Sequence, residues 1–303
     1  LPHLNATYKI LRDNKYGIVH AFDNTLNVFP MFLAKLAGVK VRISESISKG
    51  NKNEKKSLVK YVLRPFSHLF ANYYMANSID CGVWQFGRKS YDDGKVDIFK
   101  SIIDVNKNKF DKSIRDKVRK DFGLNGKIVY GFIGRYVAQK NPLFLIDIFN
   151  AISKKQDNAF LVLIGFGDME REMMDKVSLL GISDRVINLG RREDIALFYN
   201  AFDAFLLPSL YEGMPVVGIE AQCFGLPVFF SENITKETTA SDLAHYIGLD
   251  KSADDWADYV ISAIKANQSN REEAFKKVIA NGFDCKNESM RLQRYYEEKL
   301  LDK

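Results

Sequence analysis

Two glutamates in the segment 206–221 have the residue type and spacing to bind an elongated polar ligand. Glu212 lies in a loop after an apolar run, and Glu220 lies about two turns into the helix predicted to begin near Pro215. The first N–H groups of a helix lack internal acceptors and favour a nearby negative charge. Gly213 lets the backbone come close to a ligand. A ligand with a phosphate for the helix end and hydroxyl groups for both carboxylates would match this segment. The pattern therefore indicates a nucleotide sugar.

A second loop carries two cations beside a helix start. Arg135 and Lys140 follow the apolar run 128–133, and Asn141 with Pro142 favours the beginning of the next helix. Both cations are therefore predicted at the carboxyl end of a strand, where they could bring two positive charges to one diphosphate. The competing interpretation is a solvated basic pair.

The frame around the glutamates resembles the signature of the family-4 retaining glycosyltransferases, which have the GT-B fold. Seven residues separate the glutamates, Gly-x-Pro follows the first, and Ala221, Gly225 and Pro227 follow the second. The resemblance extends over about 16–256 and is densest in 131–228. It implies a set of donor-binding residues, which comprises Gly134, Arg135, Lys140, Gly165, Arg191, Gly213, Met214, Pro215, Val216 and Glu220.

Candidate catalytic residues come from both halves of the chain. Glu212 can accept hydrogen bonds from the sugar and face its developing positive charge. The run Val19-His20-Ala21-Phe22 is similar to the family's Val-His-x-His element, whose histidine faces the transferred sugar. Phe22 stands where the family has the second histidine. His20 is therefore a catalytic candidate, with a satisfied core histidine as the alternative.

The expected chemistry needs no metal ion. No Asp-x-Asp pair occurs in the sequence, so the usual carboxylates for a metal–diphosphate are missing. Arg135 and Lys140 would instead stabilise the leaving diphosphate, and preformed charges of this kind are usually a large catalytic term. We expect no cofactor, with UDP as the nucleotide of the sugar donor. The resemblance adds retention of the anomeric configuration.

Apolar runs and helical segments alternate along the whole chain, which predicts an α/β class with parallel sheets. With the resemblance, this implies a GT-B fold of two Rossmann-like domains. The predicted divisions are 1–125 on the acceptor side, 126–285 on the donor side, and a carboxyl-terminal helix, 286–303, that packs back toward the first domain. The family's opening strand and Gly-rich loop do not precede His20. A fragment, omitted residues and a small first domain all remain open, and the expectation is a truncated domain with apolar sheet edges.

Charge is concentrated in the first part of the chain. Residues 1–125 hold 23 Lys and Arg against 12 Asp and Glu, whereas the whole chain carries a net charge of +6. In 49–64, basic residues alternate with Leu, Val and Tyr at helical spacing. This pattern favours a helix on an anionic membrane surface, with a solvated helix face as the alternative. No nucleic-acid motif accompanies the charge, so we expect no nucleic-acid partner.

Three widely spaced cysteines and the lack of an apolar run of 18 residues indicate a cytoplasmic protein without a membrane span. We expect peripheral contact with the inner face of the plasma membrane. The predicted function is metal-independent sugar transfer from a UDP-sugar to a lipid-linked or saccharide acceptor in capsule or exopolysaccharide synthesis. The alternatives are a nucleotide-sugar-binding module without transfer activity and a GT-B nucleotide-sugar 2-epimerase.

Overall fold

The computed structural model describes residues 2–49, 58–266 and 271–302. Two compact units are present: Leu1–Ser101 together with Lys286–Lys303, and Ile102–Cys285. Residues 102–125, assigned to the first domain from sequence, thus lie in the second unit. The helix Lys112–Asp121 explains this, because its Arg115 donates to the carbonyl oxygens of residues 200–202 in the same unit.

The first unit contains a parallel four-stranded sheet in the order β1-β2-β3-β4. Its elements in chain order are α1 (Pro2–Asn14), β1 (Ile18–Ala21), α2 (Val28–Leu36), β2 (Val41–Ser46), α3 (Leu58–Leu63), β3 (Tyr73–Ala76), α4 (Ile79–Phe86), α5 (Arg88–Asp92) and β4 (Val96–Ile98). The register pairs Ile18 with Val41 and Ile43 with Tyr73. The core beneath this sheet is small, and its central side chains come from β2 and β3.

The second unit contains a parallel six-stranded sheet in the order β10-β9-β8-β5-β6-β7. Its elements are α6 (Lys112–Asp121), β5 (Ile128–Ile133), α7 (Pro142–Lys155), β6 (Ala159–Ile164), α8 (Glu170–Leu179), β7 (Val186–Asn188), α9 (Ile195–Ala201), β8 (Ala204–Leu207), α10 (Val216–Cys223), β9 (Val228–Ser231), β10 (Ala244–Ile247), α11 (Ala253–Ala266) and α12 (Arg271–Ala280). Strands β5, β6, β8 and β9 are nearly continuous apolar runs, as expected where helices cover both faces of a parallel sheet.

The carboxyl-terminal helix α13 (Cys285–Leu301) packs against the first unit. Its Tyr295 joins the core cluster of Val41, Ile43 and Met75. The Tyr295 hydroxyl donates to Asp97 Oδ2 at 2.8 Å. Desolvation, with the Asp97 carboxylate second, raises the pKa of Tyr295 far above its usual value, so this hydroxyl is a donor at neutral pH.

The predicted α/β class with two parallel sheets is confirmed, while some elements differ from the prediction. Strand β10 has no counterpart in the sequence prediction. The helix indicated by the basic segment 49–64 falls partly on 50–57, outside the described residues; within the described part, α3 spans Leu58–Leu63. None of the helices in the described part of the chain combines the length and the apolar character of a membrane span.

Candidate active site

The site lies where the strand order of the second sheet reverses. The chain runs outward from β5 to β6 and β7, and then returns to β8 on the other side of β5. In open parallel sheets, ligands bind beyond the carboxyl ends of the two strands that flank such a reversal. Here those ends lead into the loops 134–141 and 208–215, which contain both predicted charged segments.

Lys140 and Glu212 meet directly across this reversal. Lys140 Nζ lies 2.5 Å from Glu212 Oε1, and the two side chains are 13% and 9% exposed. Gln139 Nε2 donates to the other carboxylate oxygen at 3.2 Å and to the Tyr211 carbonyl at 3.1 Å. The amide of Leu210 donates to the Gln139 carbonyl at 2.8 Å. The two loops therefore form one hydrogen-bonded structure around a buried carboxylate.

Two glycines let neighbouring loops come close at this edge. A Cβ at Gly165 would overlap the carbonyl oxygen of Gly134, and one at Gly167 would overlap that of Tyr136. The Gly165 amide donates to the Gly190 carbonyl at 2.9 Å, and the Tyr136 amide to the Phe166 carbonyl at 2.8 Å. The loops after β5, β6 and β7 are thus bonded to one another at the carboxyl edge of the sheet.

The start of α10 points its amide groups toward this edge. Pro215 is the residue before the helix, with φ −70° and ψ 107°, and Val216 is its first residue. Met214 is 5% exposed and packs with Ile219 in a small apolar cluster, which fixes the entering chain. The Gly218 amide bonds back to the Pro215 carbonyl at 3.1 Å. The remaining first-turn N–H groups favour an anionic ligand.

Glu220 is held by a tyrosine that the sequence analysis did not single out. The Tyr199 hydroxyl lies 3.0 Å from Glu220 Oε2. Burial raises the pKa of Glu220, and the hydrogen bond from Tyr199 acts in the opposite direction. Among the described residues, Glu220 forms no ion pair with Arg135 or Lys140, so the direct contact between predicted charged residues is Lys140 with Glu212.

Two arginines of the predicted donor site are exposed. Arg135 follows Gly134 in the β5 loop, and its guanidinium makes no hydrogen bond or ion pair with any described residue. Arg191 lies over the Phe166 ring at 5.6 Å. The loop after β6 is bonded to the Arg135 loop through Phe166 and to the Arg191 loop through Gly165, so both guanidinium groups lie at the same sheet edge. Their roles toward a ligand stay predictions.

His20 lies in the first unit and is largely enclosed. Its side chain is 7% exposed, and Nε2 is 3.0 Å from Glu45 Oε2 without hydrogen-bond alignment. Nδ1 lies 2.7 Å from the Tyr296 hydroxyl of α13, and the Phe22 ring packs at 4.2 Å. This arrangement links β1 to α13. The catalytic role of His20 stays a prediction.

Gln139 and Tyr199 are the two residues of this site that sequence reasoning missed. Gln139 directly precedes a predicted cation, so its position in the loop was a usable signal. Tyr199 lies on α9 and precedes Glu220 by 21 residues in the chain. Only the packing of α9 against α10 brings them together, and the sequence offers no sign of it.

Comparison with known proteins decides the family. The family described as "Glycosyl transferases group 1" matches residues 114–281, which is more than half of the chain. The chain belongs to this glycosyl transferase family. EpsF of Bacillus subtilis (strain 168), named as a glycosyltransferase, is 28% identical over 286 residues, which cover 93% of this chain and 74% of EpsF. The predicted resemblance to glycosyltransferases of polysaccharide synthesis is confirmed, while the family-4 assignment stays a prediction.

A second relative of this glycosyl transferase is an Escherichia coli enzyme. It is named UDP-Gal:alpha-D-GlcNAc-diphosphoundecaprenol alpha-1,3-galactosyltransferase and is 29% identical over 243 residues. The match covers 76% of this chain and 62% of the relative. The chain therefore spans less than two thirds of that relative's length.

Solved structures agree on the fold. HepE of Anabaena, in a complex with UDP-glucose, superposes with a TM-score of 0.84 at 18% identity, over 98% of this chain and 82% of HepE. Sucrose-phosphate synthase of Thermosynechococcus elongatus superposes with a TM-score of 0.81 at 14% identity, over 99% and 78% of the two chains. The predicted GT-B fold class is confirmed by these likenesses.

Proposed function

We propose that this glycosyl transferase moves a sugar from a nucleoside diphosphate sugar, with UDP as the nucleotide, to a lipid-linked or saccharide acceptor. The observation that carries the proposal is the Lys140–Glu212 pair at the reversal between β5 and β8. A cation that can bind a phosphate and a carboxylate that can face a sugar are adjacent there. The name of the E. coli relative, which gives a UDP-sugar donor and a diphosphoundecaprenol acceptor, supports the same chemistry.

Each polar group has a role in the proposed reaction. The bond between the sugar's anomeric carbon and the diphosphate oxygen breaks, and the acceptor oxygen bonds to that carbon. The acceptor's proton passes to the leaving diphosphate. Lys140 leaves Glu212 and, with Arg135 and the first amides of α10, binds the diphosphate as its charge grows. Glu212, which Gln139 still holds in place, then faces the positive charge on the sugar ring.

Retention and metal independence are parts of the same proposal. The acceptor attacks from the side of the leaving group, so the anomeric configuration is kept. Lys140 and Arg135 supply the positive charge that a metal ion supplies in other transferases. His20, whose Nδ1 lies 2.7 Å from the Tyr296 hydroxyl, has no proton-transfer step in this scheme, because the leaving diphosphate takes the acceptor's proton.

A direct test combines a donor panel with two acceptors. The full chain is incubated with UDP-glucose, UDP-galactose or UDP-N-acetylglucosamine and with a polyprenyl-diphosphate-linked or a free saccharide, and UDP release and product are measured. We expect transfer with one donor, an unchanged rate in EDTA, and an α product by NMR from the α-linked donor. UDP binding without transfer to either acceptor class would favour a binding module. An epimerised nucleotide sugar would favour the epimerase.

Contact with an anionic membrane is supported by a surface of the first unit. We call it the apolar face, and its exposed members are Leu26, Phe29, Phe32, Leu36, Leu58, Val59, Val62, Phe66 and Leu69. Helix α2 buries Met31 and Ala34 on its opposite side, so apolar side chains cover both sides and Lys35 is its single charged residue, a composition that a solvated helix rarely has. Phe32 contacts Phe70 at 5.0 Å, which joins α2 to the segment after α3.

The charge around this face matches an anionic bilayer. Lys35 lies over the Phe70 ring at 5.9 Å, and Arg64 lies over the Trp84 ring at 5.7 Å. Apolar side chains flanked by such cations bind the interface of anionic lipids, each cation adding about 1 kcal/mol. The occupant that we propose for the apolar face is therefore an anionic lipid surface.

Liposome flotation tests this part of the proposal. We expect retention on vesicles with phosphatidylglycerol at low salt, and loss of retention in the V59S/V62S variant. The matched control is Leu179→Ser, because Leu179 of the second unit is 85% exposed and lies outside the apolar face. Equal retention on neutral vesicles, or a concentration-dependent dimer that V59S/V62S abolishes without any lipid binding, would contradict it.

A further inference from the structure

The hydroxyl of Tyr199 is a buried polar group whose surroundings are otherwise aromatic. The Tyr199 side chain has no exposed surface. Its ring stacks on Phe224 at 5.2 Å and packs against Phe205 at 5.7 Å and Phe202 at 6.1 Å. A ring so enclosed has little room to change its rotamer, because protein interiors are close-packed. The position of its oxygen is therefore fixed by the core of the second unit.

This oxygen faces two acceptors with one proton. It lies 3.0 Å from Glu220 Oε2 and 3.0 Å from the Val217 carbonyl oxygen. The carbonyl of Val217 belongs to the first turn of α10, where it also accepts the helical amide four residues on. A carboxylate is the stronger acceptor of the two. The hydroxyl proton is thus directed to Glu220, and Oε2 is occupied within the protein.

One carboxylate oxygen is consequently left for a ligand. Under the proposed function, the hydroxyl groups of the nucleotide's ribose donate hydrogen bonds to Glu220. We propose that Tyr199 is a positioning residue, which holds Oε2 of Glu220 so that Oε1 faces the two ribose hydroxyls. This inference rests on the proposed function, because it assigns to Tyr199 a role at the same nucleotide site.

The same contact affects the charge of Glu220. Burial raises the pKa of Glu220, whereas the hydrogen bond from Tyr199 lowers it. Loss of the hydroxyl therefore moves the pKa of Glu220 upward. The ionised carboxylate is the better acceptor for the ribose hydroxyls. As the pH is lowered, UDP binding by a protein without this hydroxyl should therefore begin to decline at a higher pH than in the unaltered protein.

The variant Tyr199→Phe tests the proposal, since it removes the hydroxyl and keeps the ring. Calorimetric titration of the full chain with UDP should show a dissociation constant raised roughly tenfold. This is the effect expected when the Glu220 carboxylate, no longer held by Tyr199, loses one hydrogen bond to the ribose. The decline of UDP binding at acid pH should begin at a higher pH. With 2′,3′-dideoxy-UDP, which lacks both ribose hydroxyls, the variant and the unaltered protein should bind equally.

Tyr130→Phe is the matched control. Tyr130 is also fully buried, and its hydroxyl donates to Gln156 Oε1 at 2.7 Å, at the end of α7. This variant loses a comparable buried hydrogen bond but should leave the affinity for UDP unchanged. Equal weakening in Tyr130→Phe, or equal weakening of dideoxy-UDP in Tyr199→Phe, would show a general loosening of the unit and overturn the proposal.

The two proposals fail in distinguishable ways. Absence of UDP binding in the unaltered protein contradicts the proposed function. Tight UDP binding that Tyr199→Phe leaves unchanged contradicts only the role of Tyr199. Tight binding that the variant weakens for UDP alone supports both.

Discussion

Replacing Lys140 by Met separates the stabilising role of the Lys140–Glu212 pair from its role in catalysis. The variant leaves the Glu212 carboxylate, which is 9% exposed in its side chain, with Gln139 as its remaining side-chain partner. Removing one member of a buried pair costs roughly 3–5 kcal/mol. Since Lys140 keeps 13% of its surface in solvent, we expect the free energy of unfolding to fall by about 2 kcal/mol, below that range.

In the double variant K140M/E212Q, we expect the stability to recover while the transfer activity stays lost. Without the buried charge, the unfolding free energy should return to within about 1 kcal/mol of the unaltered value. Transfer should remain lost by on the order of 10²-fold or more, because two of the charges proposed to act on the sugar diphosphate are gone. Glu212→Gln alone should lower the free energy of unfolding less than Lys140→Met does, since the long Lys140 side chain can extend its charge to solvent.

Urea unfolding measures these differences in the second unit. The chain has two tryptophans, Trp84 in the first unit and the fully buried Trp256 in the second. In a Trp84→Phe background, fluorescence reports on Trp256 alone, and UDP release is assayed in the same variants. A Lys140→Met protein as stable as its parent, or a double variant as unstable as Lys140→Met, would refute the reasoning.

Three further changes have expected outcomes. Glu220→Gln should weaken UDP binding roughly tenfold but raise the free energy of unfolding at neutral pH. Burial raises the pKa of Glu220, so the stability of the unaltered protein falls as the pH rises through that raised pKa. The glutamine side chain does not ionise and therefore avoids this loss. Titration with UDP and urea unfolding check both signs. Asp203→Asn should cost about 2 kcal/mol of unfolding free energy, because Asp203 pairs with Arg115 at 2.5 Å and with the 8% exposed Arg119 at 3.1 Å; unchanged thermal unfolding would contradict this. Gly165→Ala should weaken UDP binding, because its Cβ would overlap the Gly134 carbonyl and displace the β5 loop, while the far-ultraviolet circular dichroism keeps its native shape.

Periodicity predicted most of the second unit. Strands β5 and β6 are buried on both faces, so their continuous apolar runs and turn residues identified them within a residue or so. Strand β10 escaped because Ala244–Ile247 is a short edge strand with a half-buried, mixed composition. Its pairing with β9 is a long-range contact that no local pattern contains.

Sequence reasoning placed Lys140 and Glu212 at one edge of the second sheet, but it did not identify the residues that support the charged side chains. Each of these residues follows a strand, and parallel strands bring such ends to one edge, whereas the direct ion pair between them was not predicted. The support of Glu220 by Tyr199 depends on how α9 packs beside α10, which spacing cannot reveal. The first domain's predicted limit at 125 differs from the unit limit at Ser101, because the arginines of α6 bind Asp203 and its neighbours.

A structure of the chain with UDP bound tests the central claim most directly. We predict that the diphosphate contacts Lys140, Arg135 and the first amides of α10, with Lys140 turned away from Glu212, and that the ribose hydroxyls lie against Glu220 Oε1. UDP bound elsewhere on the second unit, or at this edge with its ribose away from Glu220, would contradict the account.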